Sequence, residues 1–305
     1  MEIKPLNDPK KIVQLLAEVA QIPHEKSRLR LAQEAALVGT NVLNALRAQD
    51  IPLYTMSDKM EKFYQDNDAF LFEITMWNAS TIKGRLRDFI ASSLKKFKKH
   101  EADIFCFGDG LGFDSTYFAK LGHKVKYYDP SLLSQKFSKH LFNENNVQVK
   151  QLTSMEDISP ASLDVLICLD VLEHVPDPIG LVQKFHGWLK PDGLLVVSAP
   201  FWAINPTLGT HLQKNRIYSG NMKNLYSHNG FKAIECSFLW DPIVFQKNNS
   251  RIETTTSVQM KIAINQLLLF FLRRRGVISF LLNNITLKKI FGKREVPVSW
   301  REYLK

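Results

Sequence analysis

The chain is poor in the features that mark secreted, membrane-spanning and repetitive proteins. Its 305 residues include three cysteines, each within an apolar stretch and without the paired spacing of a disulfide or a zinc knuckle: Cys106, Cys168 and Cys236. No uncharged apolar run reaches the ~18 residues expected of a membrane-spanning helix. The first residues lack the basic-then-apolar pattern of a signal peptide. We therefore expect a globular, cytoplasmic protein whose cysteines are reduced and buried.

Acidic residues are scarce in the last part of the chain. Residues 251–305 carry eleven Lys and Arg against three Glu, a net charge of +8, whereas residues 1–250 carry 29 basic and 27 acidic residues, a net charge of only +2. The positive charge is therefore concentrated in the tail and does not surround the motifs described below. This distribution disfavours a nucleic-acid-binding role for the protein as a whole.

The stretch from Asp103 to Asp129 has the pattern of the first half of a nucleotide-binding α/β domain. A short apolar strand is followed by a glycine turn, a helix and a second strand that ends on an acid. Glycines allow the backbone to turn tightly and to approach a ligand closely, and the start of a helix presents free N–H groups. A carboxylate at the end of the second strand, here Asp129, can accept both hydroxyls of a ribose.

Strand and helix patterns continue to alternate after Asp129, and a closing antiparallel pair is predicted near residues 231–245. This alternation predicts an α/β fold with a doubly wound sheet. Residues 1–99 read as a helical N-terminal extension or cap and residues 100–248 as the nucleotide-binding domain. Residues 249–305 read as a basic, apolar, helical C-terminal extension.

Both extensions allow two interpretations. Aromatic residues crowd one part of the N-terminal extension, where they form either helices packed on the core or a lid over a ligand pocket; they are Phe63, Tyr64, Phe70, Phe72 and Trp77. In the tail, Val258–Leu272 and Val277–Ile290 are apolar helical stretches separated by Arg273–Gly276. They form either a helical pair packed on the core or, across 258–290, a surface for peripheral contact with an anionic membrane or a lipid-like substrate.

Two later motifs identify a family. LDVLICLDVLEHVPDP (Leu163–Pro178) and LKPDGLLVVSAP (Leu189–Pro200) follow the glycine turn in this order. Together with that turn they resemble the class I S-adenosylmethionine-dependent methyltransferases, in particular the small-molecule group that includes the ubiquinone-biosynthesis O-methyltransferases. The resemblance covers Asp103 to Phe245 and implies a seven-stranded, Rossmann-like, doubly wound sheet. A dinucleotide dehydrogenase is disfavoured because Phe113 stands where its G-x-G-x-x-G motif needs a third glycine.

The resemblance also implies how S-adenosylmethionine is bound. The glycines form the turn beneath the methionine part and the ribose, and Asp129 holds the ribose hydroxyls. Residues after the third strand contact the adenine. Residues at the end of the fourth strand lie beneath the methyl donor. In this sequence the corresponding positions are Gly108, Gly110, Gly112, Asp129, Ser154 (or Glu156), Met155, Leu169 and Asp170. One position departs from the family pattern, because Cys106 stands where an acid usually helps to bind the methionine part. Asp109, inside the turn, is the candidate substitute.

Candidate catalytic groups follow the fourth strand. If Asp170–His174 forms a helical turn, Asp170, Glu173 and His174 share one face, and His211 in the loop Pro200–Ser219 completes the set. The Asp-x-x-Glu-His pattern resembles a metal-binding segment of some family members, with ligands that suit a divalent ion. Alternatively, His174 or His211, assisted by Glu173, acts as a general base, or His174 is structural. We favour a site without a metal.

The sequence thus predicts a cytoplasmic S-adenosylmethionine-dependent methyltransferase that modifies a small-molecule acceptor, at oxygen rather than at nitrogen or carbon. The N-terminal helices and the loop Pro200–Ser219 would shape the acceptor pocket. One alternative is an N- or C-methyltransferase that acts on a natural product or a lipid-linked acceptor. Another is a binding module that has kept the fold but lost turnover. RNA methylation ranks low, because it needs a basic groove beside the site. No nucleic-acid partner is expected.

Overall fold

The computed structural model describes residues 1–237, 242–247, 254–274 and 297–304. Its centre is a seven-stranded sheet in the order β3-β2-β1-β4-β5-β7-β6. The first five strands are mutually parallel, and β7 runs antiparallel to both of its neighbours. The strands are β1 (Asp103–Phe107), β2 (Lys124–Tyr128), β3 (Val149–Gln151), β4 (Leu163–Leu169), β5 (Leu189–Ser198), β6 (Phe231–Cys236) and β7 (Ile243–Lys247). The predicted doubly wound sheet is confirmed.

Helices precede the sheet and alternate with its strands. The N-terminal ones are α1 (Pro9–Ala20), α2 (His24–Ala36), α3 (Thr40–Ala48), α4 (Asp58–Asp66), α5 (Ala69–Ala79) and α6 (Thr81–Lys96). Those within and after the sheet are α7 (Phe113–Lys120), α8 (Leu132–Glu144), α9 (Pro178–Trp188), α10 (Met222–Leu225), α11 (Thr256–Arg274) and α12 (Val298–Tyr303). Side-chain caps fix several starts: Asp8 accepts the Lys11 N–H at 3.2 Å, and Pro9 occupies the first turn of α1.

The sheet is buried on both faces because its central strands β1 and β4 are apolar at every position except Asp103 and Asp164. Alternate side chains of β1 and β4 point to opposite sides. Ile104 and Ile167 join a core that includes Phe72 of α5, whereas Phe105 and Leu166 join a second core around Phe185 of α9. The three cysteines lie in these cores, and all are buried and unpaired, as the sequence predicted.

The chain reverses its direction of travel across the sheet between β1 and β4. From β1 it moves outward to β2 and β3 and then returns to the other side of β1 as β4. The carboxyl ends of β1 and β4 therefore border a crevice, which is where open α/β sheets bind their ligands. The glycine turn and the segment after β4 both lie at this edge.

Two element boundaries are irregular. β5 begins at Leu189, and a register shift between its pairings with β4 takes the Lys190–Gly193 segment into the strand. α10 ends at Leu225, and a 3-10 turn over Ser227–Asn229 leads into Gly230 at φ +82°. The predicted helical stretch Val277–Ile290 lies outside the described residues, and the domain limits at residues 99 and 248 stay predictions. Within the described ranges, no helix has the length and apolarity needed to cross a bilayer.

Candidate active site

The turn after β1 is shaped by glycine. Gly108, Gly110 and Gly112 have φ angles of +66°, +54° and +83°, in the left-handed region that favours glycine. A Cβ on Gly108 would lie 2.6 Å from Cγ2 of Val171, and one on Gly110 would lie 2.8 Å from Cδ1 of Ile74. The predicted tight turn is therefore present, and α5 and the segment after β4 pack directly against it.

Asp129 closes this turn from the end of β2. Its buried carboxylate accepts the N–H of Gly110 at 2.8 Å and the N–H of Ser131 at 3.0 Å. Burial raises the pKa of Asp129 to about 6, although both backbone hydrogen bonds lower it. The acid at the end of the second strand thus lies at the glycine turn, where the family pattern puts the ribose.

Asp109 holds the start of α7. Its two carboxylate oxygens accept the N–H groups of Asp114 at 3.1 Å and Ser115 at 2.7 Å. Burial, and then the nearby Asp114, raise the pKa of Asp109 to about 7. Burial also raises the pKa of Cys106 well above its ordinary value, so the thiol stays neutral and supplies no negative charge in place of the usual acid.

Two cations from α6 reach the same region, and sequence reasoning missed them. Nζ of Lys83 lies 3.0 Å from Oδ2 of Asp114, and Nε of Arg87 lies 2.7 Å from Oδ1. All three side chains are buried. Burial raises the pKa of Asp114, but Lys83 and Arg87 together bring it below its ordinary value. The only sequence signal was their spacing of four residues, which puts both cations on one face of a helix.

Asp170 is held by an aromatic residue and a hydroxyl. Asp170 directly follows β4 and has a left-handed backbone with φ +58°. Its carboxylate accepts hydrogen bonds from the Trp77 indole at 3.0 Å and from the Ser198 hydroxyl at 2.9 Å. Burial raises its pKa. The preceding Leu169 is buried in the first core. Asp170 therefore does not share a helical face with Glu173 and His174.

The segment after β3 also ends at this edge of the sheet. Met155–Asp157 forms a 3-10 turn whose first N–H groups are capped by Ser154, which accepts the N–H of Glu156 at 3.1 Å. Met155 is partly buried against the second core. Both residues thus follow a parallel strand at its carboxyl end, where the family pattern puts the adenine.

Glu173, His174 and His211 form a compact cluster. One ligand atom from each lies within 4.8 Å of the others. The two imidazole rings stand 4.6 Å apart between centroids at 84°, and Oε1 of Glu173 is 3.8 Å from Nε2 of His174. Of the four residues predicted to converge, the structure brings these three together, and Asp170 is engaged elsewhere.

The tautomer of His174 follows from its neighbours. Nδ1 lies 3.1 Å from the carbonyl oxygen of Thr210 and 2.9 Å from the hydroxyl of Tyr64. A carbonyl oxygen only accepts hydrogen bonds, so we assign the proton to Nδ1, which leaves a lone pair on Nε2. Burial lowers the pKa of His174 to about 4. The ring is therefore neutral at physiological pH.

His211 is also neutral. Burial, and then the adjacent His174, lower its pKa well below the ordinary value, against backbone hydrogen bonds with Ala203 and Pro200. Its Nδ1 has no hydrogen-bond partner among the described residues. The cluster consequently combines a carboxylate with two neutral imidazoles that offer lone pairs.

The aromatic stretch contributes both to the core and to this site. Phe63 and Phe72 are buried in the interior. Tyr64 contacts His174 and stacks on Phe70 at 5.1 Å between ring centroids, and Trp77 donates to Asp170. Sequence reasoning noted these aromatics, but it did not identify which of them reach polar groups.

The chain is similar to known methyltransferases. A model of the methyltransferase domain matches residues 79–234, about half of the chain. A ubiquinone biosynthesis O-methyltransferase of Xanthomonas euvesicatoria is 27% identical over 191 residues, which cover 56% of this chain and 77% of that protein. One of Haemophilus ducreyi is 32% identical over 124 residues, 38% of this chain and half of that protein.

A solved structure is also similar. It is the 1,6-didemethyltoxoflavin-N1-methyltransferase of Burkholderia thailandensis with bound S-adenosylhomocysteine, 17% identical, covering 58% of this chain and 87% of the other at a TM-score of 0.43. The matched residues 79–234 include the glycine turn, Asp129 and the cluster after β4. The chain therefore belongs to the class I S-adenosylmethionine-dependent methyltransferases, the family that its motifs resemble.

Proposed function

We propose that this methyltransferase transfers the methyl group of S-adenosylmethionine to a hydroxyl oxygen of a small-molecule acceptor. The observation that carries the proposal is the Glu173–His174–His211 cluster, a set of proton-accepting groups in which Glu173 and His211 are buried. It lies on the segment after β4, whose Val171 packs against Gly108 of the cofactor turn. Transfer to oxygen needs such a group, because a neutral hydroxyl is a weak nucleophile until its proton is removed. The names of the two curated relatives, both O-methyltransferases, support the same reaction.

The cofactor's charges suit the buried groups around the turn. S-adenosylmethionine carries an ammonium and a carboxylate at its methionine end. We assign the ammonium to Asp109, whose buried carboxyl lies inside the turn. Asp109 would replace the acid that the family usually has at the position of Cys106. Lys83, already paired with Asp114, is the group that we assign to the carboxylate. Asp129 accepts the ribose hydroxyls on its remaining lone pairs.

Methyl transfer itself asks little of the protein beyond alignment, because the sulfonium carries a good leaving group. The protein then has to accept the acceptor's proton. Nε2 of His174 bears the lone pair, and Glu173 at 3.8 Å stabilises the imidazolium that forms. Tyr64 and the Thr210 carbonyl hold the ring in the required tautomer.

The same three residues fit a divalent cation. A carboxylate and two neutral imidazoles are suitable donors, and Nδ1 of His211 has no other partner in the described chain. When bound, an ion would act as a Lewis acid that lowers the pKa of a coordinated hydroxyl. Because a pKa of about 4 makes His174 a weak base at neutral pH, an ion held by Glu173, His174 and His211 is the second candidate for activating the acceptor.

Cofactor titration with single-turnover assays tests the proposal. S-adenosylhomocysteine is expected to bind the wild type in calorimetry, and radiolabelled methyl transfer is expected to phenols or catechols more readily than to primary amines. Failure to bind would refute the cofactor site. Binding together with transfer to amines alone would refute oxygen as the target. Binding without transfer to any of these acceptors would favour the non-catalytic module.

A further inference from the structure

Helix α11 exposes a continuous apolar stripe. Five large apolar side chains on it are between 40% and 60% exposed: Met260, Ile264, Leu267, Leu268 and Phe271. At 100° per residue these positions fall within an arc of about 100° on the helix surface. Scattered exposed apolar residues are ordinary on a protein surface, but a contiguous row of this kind marks an interaction surface.

The opposite side of α11 is fixed to the domain. Val258 and Asn265 are buried, the Ser219 hydroxyl donates to the Leu269 carbonyl at 3.0 Å, and Ile262 packs against the second core. The helix also contacts β6. Its orientation is therefore set by the fold, and the fold turns the apolar stripe outward.

The sequence of α11 and of the residues that follow it carries charge of one sign. Helix α11 contains Lys261, Arg273 and Arg274 and no Asp or Glu, and the sequence from residue 275 to residue 294 adds five Lys and Arg and again no Asp or Glu. An apolar face combined with exclusively basic residues complements a surface that is apolar inside and anionic outside. Those are the properties of an anionic lipid bilayer, and the combination is typical of helices that lie in its interface.

The stripe is connected to the candidate active site. Ser219, which bonds to α11, ends the loop that carries His211. A Cβ on the next residue, Gly220, would lie 2.6 Å from the backbone nitrogen of Phe270. The loop that carries His211 and the helix with the exposed stripe are thus in direct contact. A membrane on α11 would therefore lie next to the segment proposed to shape the acceptor pocket.

We propose that α11, an apolar and basic helix, docks the protein onto an anionic membrane surface through the Met260–Phe271 stripe. This peripheral contact would present the loop Pro200–Ser219 to the lipid surface and give the enzyme access to an acceptor dissolved in it. The proposal goes beyond methyl transfer and does not depend on which atom is methylated.

Vesicle sedimentation with the full-length chain tests the proposal. At low salt the wild type is expected to sediment with vesicles of phosphatidylcholine and phosphatidylglycerol, and to stay in solution with pure phosphatidylcholine. Added salt weakens the binding, because the basic residues are screened. Leu267→Glu with Phe271→Glu is expected to weaken the partition by at least about tenfold.

Leu29→Glu in α2 is the matched control, since Leu29 is 51% exposed and Leu267 is 56% exposed. It is expected to leave vesicle binding unchanged, and circular dichroism confirms that all variants fold. Three results would overturn the proposal: no sedimentation of the wild type with anionic vesicles, equal loss in Leu29→Glu and the double variant, or a dimer that the double variant disrupts while vesicle binding stays absent. The last result would assign the stripe to a second copy of the chain.

Discussion

The hydroxyl of Tyr64 on α4 lies 2.9 Å from Nδ1 of His174. This contact joins the N-terminal helices, which carry no recognisable motif, to the motif after β4. A second contact, in which the Trp77 indole of α5 donates to Asp170 at 3.0 Å, also joins these helices to the segment after β4. Trp77 lies about one helical turn after Ile74, which packs against Gly110. The N-terminal helices therefore take part in the site, and substitutions in them are expected to affect chemistry as well as stability.

Replacing Tyr64 tests the first contact. Tyr64→Phe removes the hydroxyl that helps to orient the His174 ring, and loss of such an orienting partner lowers activity by roughly 10–100-fold in comparable sites. We expect kcat to fall by about tenfold, with the Kd for S-adenosylhomocysteine unchanged. Tyr303→Phe, at a hydroxyl 3.4 Å from His24 and on another helix, serves as the control. A weaker cofactor affinity with unchanged kcat would contradict the assigned role.

The pH dependence of cofactor binding tests Asp129. Its pKa of about 6 in the free protein is above the ordinary 3.8, and ribose hydroxyls bind best to the ionised form. The contribution of Asp129 to the affinity for S-adenosylhomocysteine should therefore be complete above pH 6. Below pH 6 the affinity should fall by up to tenfold per pH unit as Asp129 becomes protonated. Calorimetry between pH 5 and 8 measures the effect.

Asp109 adds a second step to the same profile. Its pKa of about 7 means that the ammonium of the cofactor meets a partly protonated carboxyl at neutral pH, so binding should release protons. Asp109→Asn is expected to weaken affinity and to remove the component near pH 7, whereas Asp129→Asn removes the component near pH 6. An affinity that does not change with pH in the wild type would show that neither carboxylate receives the cofactor.

The buried ion cluster predicts a stability effect. Asp114→Asn leaves Lys83 and Arg87 buried without the carboxylate that they pair with directly, and breaking such a cluster costs roughly 3–5 kcal/mol. Urea denaturation measures the loss. Lys190→Gln is the comparison, because its pair with Asp164 at 3.0 Å is half-exposed and contributes below about 1 kcal/mol. Equal losses in the two variants would mean that the buried cluster is not stabilising.

Cation binding by the cluster can be measured without turnover. Mn²⁺ replaces other divalent ions at oxygen and nitrogen ligands and is detected by its paramagnetic resonance. If an ion activates the acceptor, the wild type binds one Mn²⁺, and Glu173→Gln and His211→Ala lose it. Activity then falls on chelation and returns with added ion. Wild-type activity that survives chelation, with no bound Mn²⁺, would leave His174 as the proton acceptor.

The sheet and the cofactor turn could be predicted because their signals are local. Continuous apolar runs specify central strands. Gly110 and Asp129 follow the carboxyl ends of the neighbouring parallel strands β1 and β2, so their contact at 2.8 Å follows from topology. His211 was also expected near His174, and the ring centroids lie 4.6 Å apart.

The remaining contacts depend on tertiary packing that periodicity does not encode. Lys83 on α6 looks like a solvated helical charge in the sequence, and its burial against Asp114 follows only from how α6 crosses α7. Asp170 was expected beside Glu173, but its left-handed backbone at φ +58° sends the carboxylate to Trp77 and Ser198. A left-handed conformation is uncommon at a non-glycine residue, and the sequence gives no sign of it.

The central claim is that the methyl group is transferred to oxygen at the cluster of Glu173, His174 and His211. The most direct measurement is nuclear magnetic resonance of products formed from S-adenosylmethionine labelled with ¹³C in the methyl group, with phenol, catechol and amine acceptors, for the wild type and His174→Ala. We predict a carbon bonded to oxygen with the wild type, and at least about a hundredfold slower transfer with unchanged cofactor affinity in His174→Ala. A label on nitrogen or carbon, or an undiminished rate in the variant, would contradict the account.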